Sequence, residues 1–115
     1  MELKKDLVFV GGFAMFMHGL KKDYTDLDIV VTNLDGLGKV FSYTTDSAFS
    51  KSGKRAFIPG EIHIDIFIEK QLPEYVVIDG LKIQTINSMK EYYTKIQTSN
   101  EHWKKHISER LELIK

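Results

Sequence analysis

Three aspartates on two predicted strands are the residues of this chain whose types and spacing point most directly to chemistry. Asp26 and Asp28 open the β-branched run 29–31, so in a strand both carboxylates project from one face. Asp65 lies in the middle of a second predicted strand, 61–69, on the face opposite its isoleucines. Neighbouring carboxylates repel each other unless they are solvated or a cation lies between them.

Magnesium is the cation that suits this set, because it prefers oxygen ligands and is commonly held by one or two carboxylates plus substrate phosphates. If the two strands are neighbours, Asp26, Asp28 and Asp65 converge. We then expect them to hold two metal ions about 4 Å apart, one at the attacking and one at the leaving oxygen. A solvated strand start remains the alternative interpretation of Asp26 and Asp28 taken alone.

A glycine pair, Gly11–Gly12, lies between two apolar segments. The run Leu7–Val10 predicts a buried strand, and residues 13–18 predict a helix that Gly19 closes. Glycines at such a junction let backbone N–H groups approach a phosphate, and the start of a helix favours an anion. In this context the pair predicts an anion cradle, although in isolation a plain strand-to-helix turn explains it better.

The remaining elements supply the frame for these groups. Asp79–Gly80 separates two β-branched segments, which predicts a hairpin with a two-residue turn. Two amphipathic helices follow, with possible capping boxes at Ser88/Glu91 and at Thr98/Glu101. The pattern predicts an α+β fold, an α/β sandwich in which a mixed twisted sheet of about five strands has its helices packed on one face.

Composition excludes several classes of site. The 115 residues fit one domain, and 16 basic against 16 acidic side chains give no general attraction to nucleic acid or to an anionic membrane. The absence of cysteine removes disulfides, thiolate zinc sites and cysteine nucleophiles. No segment approaches the roughly 20 apolar residues of a membrane span. We expect a cytoplasmic protein with no membrane partner.

The order of these features resembles the nucleotidyltransferase superfamily of DNA polymerase beta-like enzymes. In that family a small-residue pair precedes a helix, an Asp-x-Asp strand follows, and a third aspartate lies on a later strand. Here Gly11–Gly12, Asp26–Asp28 and Asp65 stand in that order. The resemblance covers a catalytic core at residues 7–68 within the single domain 1–115. The hairpin and helices at 75–115 are similar to small antibiotic and toxin–antitoxin members.

The resemblance implies a role for each residue. Asp26 and Asp28 would bridge two Mg²⁺ ions, with Mn²⁺ as a substitute, and Asp65 would bind the ion that activates the acceptor hydroxyl. Gly11–Gly12 would hold the β- and γ-phosphates of a nucleoside triphosphate. Many relatives carry an arginine shortly before the Asp-x-Asp. This chain has lysines there, and Lys22 is expected to meet a phosphate as a point charge.

The expected function is transfer of a nucleoside monophosphate, with ATP as the first candidate donor and pyrophosphate as the leaving group. The acceptor stays open between an aminoglycoside-like small molecule, an RNA end and a partner protein. A chain this close to the bare core favours a site completed in a homodimer or hetero-complex. Two alternatives remain: a catalytically weak or inactive binding module, such as one half of a toxin–antitoxin pair, and an interaction protein whose Asp-x-Asp is only surface.

Other polar and aromatic residues receive structural interpretations at this stage. His63 shares a face with Asp65 and either positions substrate or is a partly exposed strand histidine. The basic residues of the last helix fit the solvated face of an amphipathic helix better than a nucleotide contact; they are Lys104, Lys105 and Arg110. Three aromatic residues fall at core spacing and are expected to pack there: Tyr92, Tyr93 and Trp103.

Overall fold

The computed structural model of the chain describes residues 6–45, 52–96 and 100–114. The strands, in chain order, are β1 (Val8–Val10), β2 (Leu27–Val31), β3 (Phe41–Thr44), β4 (Lys54–Ile58), β5 (Ile64–Ile68), β6 (Tyr75–Ile78) and β7 (Leu81–Gln84). The helices are α1 (Gly11–Met17), α2 (Ile86–Lys95) and α3 (Glu101–Ile114). The strands join in one mixed sheet of order β3-β4-β5-β2-β1-β7-β6.

The parallel pair β2–β5 lies at the centre of the sheet. Its register begins at Leu27↔Ile64 and continues through Ile29↔Ile66. Those two central isoleucines are 4% and 0% exposed, so the pair is held by a buried apolar face. β1 runs antiparallel to β2 and parallel to β7. The two strands that carry the aspartates are therefore neighbours, which is the condition for their carboxylates to meet.

The fold is α+β, but the expected sheet of about five strands is wrong, because seven strands pair in it. The region 43–60, which the sequence indicates as thin strands and loops, contains the second half of β3 and all of β4, and these two strands form an antiparallel pair. All four residues of β3 are exposed, at the edge of the sheet. Its sequence FSYT alternates aromatic and polar residues, but over 4 residues only, which is the lower limit for recognising a strand from alternation.

The helices are divided between the two faces of the sheet, which corrects the expectation of a single helical face. Phe13 of α1 lies 5.0 Å from Phe9, ring centre to ring centre, on the face that carries Ile29. Val8 and Val30, register partners on the opposite face, are only 0% and 8% exposed and are also covered. Strand alternation places Asp28 on that second face, where α3 reaches it through Arg110.

Two local turns follow their glycines as the sequence predicts. The β6–β7 hairpin has the two-residue loop Asp79–Gly80, and both residues adopt positive φ, 52° and 79°. That conformation favours an Asp-Gly pair, and the predicted turn is confirmed. α1 ends with Gly19 at φ 78°, while Leu20 N–H donates to the Met15 carbonyl at 2.9 Å. This is a Schellman motif, so the glycine closes the helix as expected.

The first of the two C-terminal helices, α2, begins at a cap other than the predicted one. The Thr85 hydroxyl accepts the Ser88 N–H at 3.1 Å, so α2 starts before Ser88 and the Ser88/Glu91 box is wrong. At α3 the Asn100 side chain accepts the His102 N–H at 2.9 Å; Thr98 lies outside the described residues. Within the described residues no helix is long and apolar enough to cross a membrane.

The cap of α2 gives a test of this helix boundary. Thr85→Ala should lower the free energy of unfolding by about 1 kcal/mol, because it leaves the Ser88 N–H without its acceptor. Thr85→Ser keeps the hydroxyl and should stay within a few tenths of wild type. Urea denaturation monitored by circular dichroism measures both variants. Equal stability of the alanine and serine proteins would contradict the assignment of Thr85 as the cap.

Candidate active site

Two of the three predicted carboxylates lie side by side. Asp28 of β2 and Asp65 of β5 are register partners, and they project from the same face of the sheet. Neighbouring strands are about 4.8 Å apart. The charge of Asp65 accordingly raises the pKa of Asp28, second only to burial among its causes. The pair is a like-charge site in the partly buried centre of the sheet.

Asp26 stands outside this pair. The predicted strand from Asp26 is one residue too long, because β2 starts at Leu27, whose N–H donates to the His63 carbonyl at 3.0 Å. Asp26 lies in a bend before that first pairing and is exposed. Its charge is the smallest of the influences given for the pKa of Asp28. The described residues hold no group of three or more His, Cys, Asp or Glu side chains arranged to bind a metal ion.

Burial sets the protonation of Asp28. The pKa of this carboxyl is raised from 3.8 to about 6, by burial first and then by the charges of Asp65 and Asp26. The guanidinium groups of Arg110 and Arg55 act in the opposite direction. Desolvation and like charge thus outweigh two cations. A further positive charge beside Asp28 would stabilise its ionised form and lower its pKa.

Asp65 has partners of its own. Its Oδ1 lies 3.0 Å from Nε2 of His63 and 3.6 Å from Nη2 of Arg55. The Arg55 guanidinium lies 4.3 Å above the ring of Phe67 and 5.8 Å from that of Tyr43. Its buried Nε has no hydrogen-bond partner among the described residues. Arg55 went unnoticed in the sequence, because only the register of β4 on β5 brings it to Asp65.

The backbone of the glycine pair lies directly beside the carboxylate of Asp28. Gly11 adopts φ 66°, and a Cβ built on it would lie 2.5 Å from Oδ2 of Asp28. A side chain there is excluded both by the backbone conformation and by the aspartate. At Gly12, by contrast, a Cβ would lie 3.6 Å from Nη2 of Arg110 and 3.6 Å from Nζ of Lys21. Gly11 therefore admits the carboxylate, and Gly12 faces two cations.

Arg110 is held in place by α2. Its Nη1 donates to the Tyr93 hydroxyl at 2.7 Å, and burial raises the pKa of that tyrosine. The side chain lies on the same stripe of α3 as the buried residues Ile107 and Ile114. That spacing is the signal in the sequence that separates Arg110 from the solvated lysines of the helix. Arg110 thus brings a guanidinium to the Gly12 backbone.

Other predicted residues are placed differently. Lys22 is exposed, and it is Lys21 whose amino group approaches Gly12. Tyr93 is 5% exposed, which confirms its predicted place in the core. Trp103 is 40% exposed, so its predicted core position is wrong. It belongs to the first turn of α3, before the first buried residue of that helix, Ile107.

Comparison of the chain with protein-family models, with curated proteins and with solved structures gives no match. The chemistry of the site is therefore inferred from its own geometry.

Substitution of the two glycines should separate their roles. Gly11→Ala should cost on the order of 1–2 kcal/mol of unfolding free energy from the positive φ alone, plus the displacement of Asp28. Gly12→Ala should cost much less, since its Cβ meets only ordinary contacts. Combining Gly11→Ala with Asp28→Ala should recover the steric part, as measured by a double-mutant cycle in urea. Strict additivity of the two changes would contradict the predicted clash.

Asp28 should make the stability of the metal-free protein depend on pH. Its folded pKa is raised from 3.8 to about 6, so its stabilising contribution is complete below 3.8 and is lost as the pH rises through 6. Asp28→Asn, which stays neutral, should gain stability relative to wild type from about pH 4 to about pH 7, by on the order of 2 kcal/mol.

Urea melts in EDTA across this pH range measure the difference, with the exposed Asp23→Asn as the matched control. A stability difference between Asp28→Asn and wild type that stays constant with pH would contradict the assigned burial of the charge.

Proposed function

We propose that the chain is a metal-dependent nucleotidyltransferase that transfers a nucleoside monophosphate from a nucleoside triphosphate to an acceptor hydroxyl. The observation that carries the proposal is the meeting of Asp28 and Asp65 on one face, directly beside the Gly11–Gly12 turn. Phosphoryl transfer needs positioning and charge neutralisation more than covalent chemistry from the protein. Carboxylates for a metal, next to cations for phosphates, meet that need.

The cations at the turn support a place for the triphosphate. The end groups of Lys21 and Arg110 both lie 3.6 Å from the position a Gly12 Cβ would take. Because Gly12 has no side chain, phosphate oxygens can approach the backbone and both cations together. Arg110 offers a fork of donors that a lysine lacks. The β- and γ-phosphates would lie at this point.

The carboxylate pair fits a magnesium site. Asp28 and Asp65 repel each other, and the raised pKa of Asp28 means that an added cation would stabilise its ionised form. Two carboxylates are enough for Mg²⁺ when substrate phosphates supply further oxygens, and exposed Asp26 lies near enough to act on Asp28. We propose two Mg²⁺ ions, or Mn²⁺, held by these three residues. Bound there, they would neutralise the charge that develops on the reacting oxygens.

The proposed nucleotidyl transfer involves no change of oxidation state and needs no redox partner. The acceptor hydroxyl oxygen forms a bond to the α-phosphorus, and the bond from that phosphorus to the bridging oxygen of the β-phosphate breaks. Pyrophosphate leaves with the bonding electrons, near Lys21 and Arg110. The hydroxyl proton would pass to solvent or to Asp65. We take ATP as the first donor to test.

Three kinds of acceptor fit the proposed transfer. A small-molecule hydroxyl, an RNA end and a side chain of a partner protein all provide the oxygen that this chemistry requires. A second copy or a different subunit would complete an acceptor pocket around this small core. Either arrangement is compatible with one half of a toxin–antitoxin pair.

A second candidate is a nucleotide-binding module without catalysis. It is favoured by one specific observation, the engagement of Asp65 with both Arg55 and His63. A carboxylate that stays paired with a guanidinium would be a poor metal ligand. In that case the cation pair at Gly12 would still bind a triphosphate, while transfer would fail.

Calorimetric titration with ATP and Mg²⁺ tests the proposal. Arg110→Met should weaken ATP binding at least about tenfold, the effect of losing one charge-assisted hydrogen bond. Lys105→Met makes the same charge change on the exposed side of α3 and should leave the affinity unchanged. Tyr93→Phe keeps the guanidinium but removes its 2.7 Å partner, so its loss should be smaller than that of Arg110→Met.

Labelled ATP incubated with cell extract then separates the two candidates. Release of pyrophosphate with transfer of label, abolished by Asp28→Asn and by Asp65→Asn, is expected of the enzyme. Tight ATP binding without any release would favour the binding module. Absence of ATP binding by the wild-type chain would refute both.

A further inference from the structure

One row of residues runs across five strands and carries the candidate site in its middle. Val10, Asp28, Asp65, Phe57 and Phe41 are successive register partners on β1, β2, β5, β4 and β3. They share one face of the sheet, because partners in register project to the same side. The carboxylates therefore continue directly into two phenylalanines.

These rings form a ladder with His63. Phe41 and Phe57 have ring centres 5.3 Å apart with planes inclined by 22°, and Phe57 and His63 are 5.6 Å apart at 21°. The ladder is open to solvent at its outer end, where Phe41 is 47% exposed. At its inner end His63 touches Asp65. An exposed stack of this kind offers a flat apolar surface beside a carboxylate.

The cations near the row lie in two places. Arg55 is paired with Asp65, whereas Lys21 and Arg110 approach Gly12, next to the Gly11 backbone that lies against Asp28. The rings lie at the far end of the row, beyond Asp65. A triphosphate that uses the cations leaves the ring end for the second substrate, and the carboxylates lie between the two.

We propose that the ladder Phe41–Phe57–His63 binds the base of a nucleoside-type acceptor and presents its ribose hydroxyl to Asp65; this rests on the proposed function. Phe57 is one strand from Asp65 and Phe41 is two strands away, roughly 5 and 10 Å. A base stacked on these rings has its sugar hydroxyls within that span. Stacking accepts any base, because every base has a π-face.

The charges around the ladder favour a single nucleoside or a chain end over a long polyanion. Arg55, which flanks the ladder, is already paired with Asp65. The whole chain has 16 basic and 16 acidic residues, so it offers no general attraction to a phosphate backbone. Recognition would rest on the ring and the hydroxyl.

Saturation-transfer NMR with adenosine, and with ribose as the ringless control, tests the ladder without requiring catalysis. Phe41→Ala should weaken adenosine binding at least about fivefold, the lower range for one base stacked on an aromatic side chain. Phe41→Tyr keeps the ring and should bind as wild type does. Val77→Ala, at a 64% exposed apolar residue on the opposite edge strand β6, should change nothing. The ATP affinity of Phe41→Ala should stay unchanged.

Four results would overturn the inference. They are adenosine failing to bind the wild-type chain, equal binding by Phe41→Ala and wild type, loss of ATP affinity in Phe41→Ala, and a dimer in sedimentation that Phe41→Ala dissociates. The third would assign the ladder to the base of the donor, and the fourth to a second copy of the chain. Adenosine binding that depends on Phe41 in a chain that fails to bind ATP would support the ring site while refuting the proposed function.

A decaadenylate competitor distinguishes the source of the base. Displacement of adenosine by the oligonucleotide would support an RNA terminus as the occupant of the ladder. Failure to displace it would support a free nucleoside.

Discussion

The placement of two like charges side by side is the constraint on which the rest of the site depends. Asp28 and Asp65 are fixed as neighbours by a parallel strand pair whose other face is buried, so neither can move away without breaking that pairing. Their repulsion has to be offset from outside the pair. Arg55 arrives from β4 and Arg110 from α3, and the pKa of Asp28 is still raised to about 6. A further positive charge beside the pair would stabilise its ionised form.

The glycine turn solves a related problem of space. Gly11 lets an aspartate oxygen approach to within 2.5 Å of where a side chain would begin. Gly12 leaves the neighbouring volume to Lys21 and Arg110. The two adjacent glycines therefore have different roles: Gly11 makes space for a carboxylate, and Gly12 makes space for two cations. This division links the backbone of one short turn to both charge types in the site.

The sequence predicts the local parts of this structure better than the long-range ones. Alternation and turn chemistry locate the strands of Asp28 and Asp65 and the Asp79–Gly80 hairpin, because these signals are contained within a few residues. The sequence does not predict β3 as a strand of its own, because its alternation FSYT extends over 4 exposed residues only. Arg55 reaches the site only through strand register, and no local pattern encodes that contact. The spacing of Arg110 with Ile107 and Ile114 indicates its buried stripe, but its approach to Gly12 depends on how α3 packs.

The order of the strands in the sheet affects which contacts form late in folding. β1 is completed by β7, with Phe9 opposite Ile83, and the site closes only when α3 brings Arg110 back to Gly12. Contacts between such distant parts of a sequence lose loop-closure entropy before the contacts themselves stabilise the chain, so they form late in folding. A ligand that contacts both Gly12 and Arg110 would connect the first helix of the described fold, α1, with the last, α3. Binding of such a ligand should then stabilise the whole domain against unfolding.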